Sequence, residues 1–165
     1  MVTSDDDWEL SPEVAHPNAR RLMKAEYFWD ICDDDSPFGN DTGADTLEFF
    51  RAHLESGDDD EQFLDDILEE WGVDRGTAES VPDAELKRVL EDEHFHILTY
   101  DEVVIALAFA QLVFRGKTSR EMSGAAVRAL KRQALPEVIE FRGWEDPGER
   151  RDRCAEMTKV IQGAA

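Results

Sequence analysis

Five aspartates crowd residues 33–45 of this chain: Asp33, Asp34, Asp35, Asp41 and Asp45. Hard divalent cations take oxygen ligands, so binding Mg²⁺ or Ca²⁺ is one chemistry open to such a loop. The spacing departs from the calcium-loop pattern, because the glycine and the distal bidentate Glu are misplaced. The simpler use of these residues is local. Asn40, Asp41, Thr42 and Asp45 are types that cap a helix and shape a turn. The expectation is no metal and no cofactor.

Two further groups invite a chemical reading. His94 and His96 flank Phe95 and follow Glu91 and Glu93. On a strand both imidazoles would face one side, as a two-ligand clamp requires. His16 and His53 are only nominal third and fourth ligands, and a surface turn with solvated histidines is the simpler reading. Nucleophilic catalysis needs a nucleophile, a base and a group that orients the base. Cys32 sits beside Asp33–Asp35, whose charge raises a thiol pKa and so opposes activation. Cys154 sits on an apolar stripe. Both are read as reduced, buried thiols. The chain has no phosphate-cradling glycine loop and no nucleophile elbow. No catalytic residue is expected. An enzyme built on carboxylates alone, with a metal in the residue 30–45 loop, is kept as an alternative.

Charge narrows the function class. The chain has 165 residues, with 39 Asp and Glu against 18 Lys and Arg, for a net charge of −21. Direct nucleic-acid binding needs a basic footprint, so it is not expected. Docking on an anionic membrane is disfavoured for the same reason. The excess is uneven: residues 1–80 hold 24 acids and 5 bases, and residues 81–165 hold 15 and 13. Proteome-wide adaptation to salt or to a GC-rich genome would acidify the whole surface. It is the second alternative. The favoured reading is a non-enzymatic acidic protein, of the immunity, antitoxin or charge-mimic kind, that engages a basic protein partner. The expected contacts are Asp33, Asp34 and Asp35, with Asp58, Asp59, Asp60 and Glu61. Tyr27, Phe28, Trp29 and Phe38 flank the acidic loop. They either pack beneath it or, through Phe38 above all, anchor the partner.

These residues need elements to hold them. The expected fold is all-α: one compact domain of six to eight helices over residues 16–165, behind a loosely held acidic arm at 1–15 that Trp8 anchors. His16-Pro17-Asn18 opens a helix, since proline suits the first helical position. Thr42 to Asp45, Ser80 to Asp83 and Thr99 to Glu102 each have the form of a capping box. Leu47, Phe50 and Leu54 form one stripe, and Phe63, Leu64, Ile67, Leu68 and Trp71 the next. The third box opens an almost wholly apolar helix, about 99–115, whose place is the centre of a bundle. Its apolar run, near a dozen residues, is too short to span a bilayer. A helix over about 119–135 turns Met122, Ala126, Ala129 and Leu130 inward and Arg128, Lys131 and Arg132 outward. Pro136 restarts the chain, and Asp146-Pro147 starts the last helix. The expected protein is a cytoplasmic monomer.

Some of these residues form a more particular pattern. It comprises His16-Pro17-Asn18, then Tyr27-Phe28-Trp29-Asp30, then Pro37-Phe38-Gly39-Asn40-Asp41 with Gly43 and Asp45, and Ile105 to Gln111. With that pattern the chain resembles the YfeS-like family of small bacterial proteins over most of residues 16–162. Residues 37–54 also look like a second bacterial family, the DUF4259 proteins. Both resemblances imply a bacterial, cytoplasmic, helical protein of undefined biochemistry. They transfer no catalytic residue.

Overall fold

The most apolar stretch of the chain becomes the axis of the fold. In the computed structural model, which describes residues 8–92 and 96–165, helix α6 runs His96–Arg115. Fifteen of its 20 residues are buried, which places protein on every side of it. By length and composition alone α6 could cross a membrane, more than its apolar run suggested. Yet 83% of its apolar window is buried inside the protein.

Eight further α-helices surround it among the described residues: α1 Pro17–Leu22, α2 Asp41–His53, α3 Asp60–Glu70, α4 Arg75–Ser80, α5 Leu86–Glu91, α7 Arg120–Gln133, α8 Pro136–Arg142 and α9 Pro147–Ala164. Short 3₁₀ turns occupy Glu26–Trp29 and Asp83–Glu85. The fold is thus all-α around a central buried helix. Three of the nine helices have only six residues. Helices α2 and α7 lie against α6, and α9 packs on α7. Phe28, Phe38, Phe50 and Phe109 are fully buried, with Phe28 and Phe109 ring centroids 5.6 Å apart. A small satellite core joins Leu86, Leu90, Leu98 and Val138.

Local signals set most helix ends. His16 Nδ1 accepts the Asn18 N–H at 3.0 Å, with Pro17 in the first helical position. The Asp59, Ser119 and Asp146 side chains cap α3, α7 and α9. Each takes an N–H that the helix leaves unpaired. Three expected starts differ. Asn40, and not Thr42, caps α2, its Oδ1 accepting the Gly43 N–H at 2.6 Å. Ser80 ends α4, a helix the sequence did not announce, instead of starting one. Thr99 lies inside α6, which begins three residues earlier, so His96, Ile97 and Leu98 are already helical. The acidic residues Asp5, Asp6 and Asp7, together with Glu93, His94 and Phe95, lie outside the described residues. Within the arm, Trp8 stands 5.4 Å from the Phe114 ring, beneath the Arg51 guanidinium at 5.1 Å.

Candidate functional site

The acidic loop forms one wall of a cleft of about 780 Å³. That volume lies within the usual range for ligand pockets. The opposite wall comes from far away in sequence: Glu102 and Ile105 of α6, Gln133 at the end of α7, and residues 142–150 from the end of α8 into α9. Gly143, with φ of +73°, ends α8 in the left-handed conformation and lets Trp144 turn toward the cleft.

The cleft's two arginines are both occupied. Arg142 is bonded to Glu102. Arg150 donates from Nη1 to Asp35 Oδ1 at 3.0 Å, and its guanidinium lies 4.3 Å from the Trp144 ring. Arg153 stacks over Tyr27 at 4.1 Å and reaches Asp35 at 3.9 Å. The loop's other carboxylates serve turns in part. Asp30 accepts the Cys32 N–H and Asp33 accepts the Asp35 N–H, each at 2.9 Å. Asp34, Glu145 and Glu149 are exposed at the rim.

Behind the cleft lies a carboxyl with no access to water. Asp101 is 0% exposed, and its Oδ2 accepts from Gln133 Nε2 at 2.9 Å. Arg132 Nη1 stands 3.7 Å from Oδ1, so Arg132 turns inward and not outward as its helix position suggested. Its Nη2 donates to the Ala78 carbonyl at 2.7 Å. Burial pushes the Asp101 carboxyl up to about 7, against partial opposition from Arg132 and Gln133.

The second acidic cluster lines a separate cleft of about 490 Å³, beside Gln111 and Arg115 of α6. The two clefts share no lining residue. Ile105 and Arg115, one beside each cleft, stand about 15 Å apart along α6. Asp60 is the hub of the second. Gln111 Nε2 donates to its Oδ2 at 2.7 Å, Arg115 Nη2 donates to its Oδ1 at 2.9 Å, and His53 Nε2 lies 2.9 Å from Oδ1. Burial raises its pKa, but hydrogen bonds from Arg115, Gln111 and His53 outweigh that and hold the carboxyl below its ordinary value.

Ser56 Oγ lies 3.4 Å from His53 Nδ1, completing a Ser–His–Asp sequence of contacts with Asp60. It does not make a catalytic triad. The Ser56 hydroxyl donates to the His53 carbonyl at 2.7 Å, and neither Ser56 nor His53 lines the cleft. Among the described residues, no group of three or more His, Cys, Asp or Glu side chains is arranged to hold a metal ion. His96 is exposed at the start of α6.

The expected contact residues therefore separate. Phe38 is fully buried and belongs to the core, not to an exposed anchor. Tyr27 and Phe28 are buried too, and Trp29 Nε1 donates to the Met23 carbonyl at 2.9 Å, so the aromatics pack beneath the loop. Asp35 and Asp60 are held in ion pairs. Asp59 caps α3, and Glu61 accepts from Arg75 at 3.1 Å. Asp34 and Asp58 are the members left exposed without such a structural bond. Cys32 is exposed, against expectation, while Cys154 is buried.

The motif residues hold the fold together. The His16 N–H donates to the Val113 carbonyl at 2.8 Å, and Asn18 Nδ2 donates to the Gly116 carbonyl. These bonds lock α1 to the end of α6. A Cβ on Gly39 would overlap the Asp33 carbonyl oxygen. Pro37, Gly39 and Asn40 shape the turn that carries the acidic loop into α2.

A helical domain with an acid-lined cleft beside its central helix is the class that this geometry defines. No family model matches the chain, and no solved structure matches it. The chain is similar to the uncharacterised protein YfeS of Escherichia coli strain K12, at 25% identity over 138 residues. That stretch is 82% of this chain and 57% of YfeS, so the chain spans just over half the length of the curated relative it matches. The relationship is distant homology, in line with the resemblance drawn from the motif residues.

Proposed function

We propose that the protein is a non-enzymatic, cytoplasmic binding protein that presents carboxylates to a basic protein partner, in the manner of an immunity protein, an antitoxin or a charge mimic. One observation carries this reading. Both arginines of the larger cleft are already taken by the chain's own carboxylates, so Asp34 and Glu145 stand there without a compensating cation among the described residues, while Glu149 at the rim shares Arg153 of its own helix at 3.5 Å. Uncompensated charge of one sign in a cleft accelerates encounter with the opposite sign and repels wrong partners. On this reading the contacts are the exposed carboxylates Asp34, Glu145 and Glu149, and not the buried Phe38 or the ion-paired Asp35 and Asp60.

The test is capture from the native host's lysate at low salt, by the full chain and by an Asp34→Asn/Glu145→Gln/Glu149→Gln variant. The expected result is a basic protein retained by the wild type, released by moderate salt and lost by the variant. Retention that ignores both salt and the substitutions overturns the proposal.

A further inference from the structure

Four times among the described residues an arginine is laid over an aromatic ring, and each time a carboxylate of the chain holds it there. Arg51 Cζ lies 5.1 Å from the Trp8 ring centroid, and the guanidinium pairs with Glu48 at 3.4 Å. Arg115 lies 5.2 Å from the Phe50 ring and is bound to Asp60. Arg150 lies 4.3 Å from the Trp144 ring and pairs with Asp35 at 3.0 Å. Arg153 lies 4.1 Å from the Tyr27 ring and pairs with Glu149 at 3.5 Å. The ring face attracts the flat cation, and the carboxylate takes its N–H groups.

One aromatic pair has the rings and the carboxylates but no arginine. Phe49, on the outer side of α2, is 46% exposed. Its ring centroid stands 6.2 Å from that of Trp71 at the end of α3, with the planes inclined by 48°. Among the described residues, no cation lies over either ring. Asp45 lies one helical turn before Phe49, and Glu70 precedes Trp71. Both are exposed, and neither is paired with a described residue. The last turn of α3 holds Glu69 and Glu70 and no base. The C-terminal end of a helix carries partial negative charge, which a cation placed there offsets. Exposed ring faces, unpaired carboxylates and the negative end of a helix thus call for the same complement. A second copy of this chain does not supply it. A symmetric contact would set the same acids against one another, and each chain carries −21.

We propose that the Phe49–Trp71 pair docks an arginine of the basic partner, the guanidinium lying against the rings with Asp45 and Glu70 as its acceptors. The inference rests on the reading of a basic partner. It adds an anchoring point outside both clefts and a preference for arginine over lysine, because the planar guanidinium stacks on a ring and forks onto a carboxylate, whereas an ammonium is a compact, strongly hydrated charge.

The test uses two fluorescent peptides, arginine alternating with glycine and lysine alternating with glycine, with binding to the full chain followed by anisotropy at low salt. Phe49→Leu keeps an apolar side chain and removes the ring, while Phe49→Tyr keeps the ring. Asp45→Asn/Glu70→Gln removes the acceptors. Glu140→Gln/Asp152→Asn makes the same change in net charge at exposed positions on α8 and α9. The arginine peptide is expected to bind more tightly than the lysine peptide. Phe49→Leu should weaken the arginine peptide about threefold, the scale of an exposed cation–ring contact, and Phe49→Tyr should leave it unchanged. Asp45→Asn/Glu70→Gln should weaken it at least as much, and the α8–α9 variant less than about twofold. Equal binding of the two peptides, or of Phe49→Leu and wild type, overturns the inference. So does equal loss in the two charge variants. If binding is lost instead in Asp34→Asn/Glu145→Gln/Glu149→Gln and not in Phe49→Leu, the inference falls and the proposed function stands. Sedimentation should show one species. Self-association that Phe49→Leu abolishes makes a second copy the occupant and overturns the arginine. If Phe49→Leu melts early, the two charge variants still decide. If no form binds either peptide, both this inference and the proposed function fall.

Discussion

Asp35 in the acidic loop and Arg150 in α9 are 115 positions apart in sequence, yet they meet at 3.0 Å. Their side chains are 13% and 8% exposed, so the pair is largely out of water. Removing one member of a buried pair leaves the other charge uncompensated, at a cost of about 3–5 kcal/mol. Asp35→Ala is therefore expected to lower the urea midpoint substantially. Asp34→Asn next door, at an exposed position, should stay within about 0.5 kcal/mol. A double-mutant cycle with Arg150→Met isolates the coupling. Equal stability of the Asp35 and Asp34 variants would remove the loop-to-α9 tie from the account.

Asp60 binds α3 to α6 and α2 through Arg115, Gln111 and His53. Its carboxyl is held below the ordinary value of 3.8. A depressed carboxyl contributes stability that is present above the unfolded pKa and is lost as pH falls through the folded one. Asp60→Asn should therefore be less stable than the wild type at pH 6, and the difference should shrink below about pH 4. Urea unfolding at pH 6 and pH 3 measures it. A difference that stays constant with pH would mean that Asp60 acts by shape and not by charge.

Gly39 and Gly116 meet different limits. A Cβ on Gly39 runs into the Asp33 backbone, which cannot swing aside as a side chain can. At Gly116 a positive φ of +77° combines with the His16 ring lying where a Cβ would go. Both Gly39→Ala and Gly116→Ala are expected to destabilise by more than the ~1 kcal/mol that φ alone costs. Gly76→Ala, inside α4 with only a van der Waals neighbour, should be neutral or stabilising. Thermal melts of the three variants provide the check.

What was legible in the sequence was local. The apolar run of α6, the Ser119 cap and the Asp146-Pro147 start each act within a turn or two, so spacing alone exposes them. Asn40 and Thr42 offered two local caps for one helix. The choice fell to Asn40, whose side chain reaches the Gly43 N–H, and composition does not decide between them. Helix α4 is short and contains Gly76. It is held in place by Arg75, whose guanidinium contacts Glu61, Asp65 and Glu79, and by Tyr100 donating to Glu79 at 2.9 Å. Those bonds span up to 21 positions. The cleft was half legible: the acidic loop announces itself, while Gln133, Trp144 and Arg150 come to it from the far end of the sequence. Arg132 shows why. A charged residue on a helix reads as outward unless its buried partner, here Asp101, is known to face it.

Asp101 gives the protein a pH dependence opposite in sign to that of Asp60. Its native carboxyl titrates near 7, against an ordinary value of 3.8, because burial disfavours the charge. Between those two values the native state holds a proton that the unfolded chain has released. Stability therefore falls as pH rises across that window, and the loss is complete above the native value. Its size is on the order of a few kcal/mol, at 1.36 kcal/mol for each unit of pKa difference. Asp101→Asn keeps the shape and removes the titration. Any clash of its amide with Arg132 would cost the same at every pH, so the slope is the diagnostic quantity and not the absolute stability. Urea unfolding at pH 5, 6.5 and 8 should show the wild type losing stability with rising pH, and the variant losing distinctly less. Parallel slopes would mean that Asp101 carries its charge throughout, with Arg132 drawn in from 3.7 Å to compensate it. The same experiment reports on the cleft. Gln133 is bonded to this carboxyl, so a change in the protonation of Asp101 alters the hydrogen bond that fixes the amide lining the cleft.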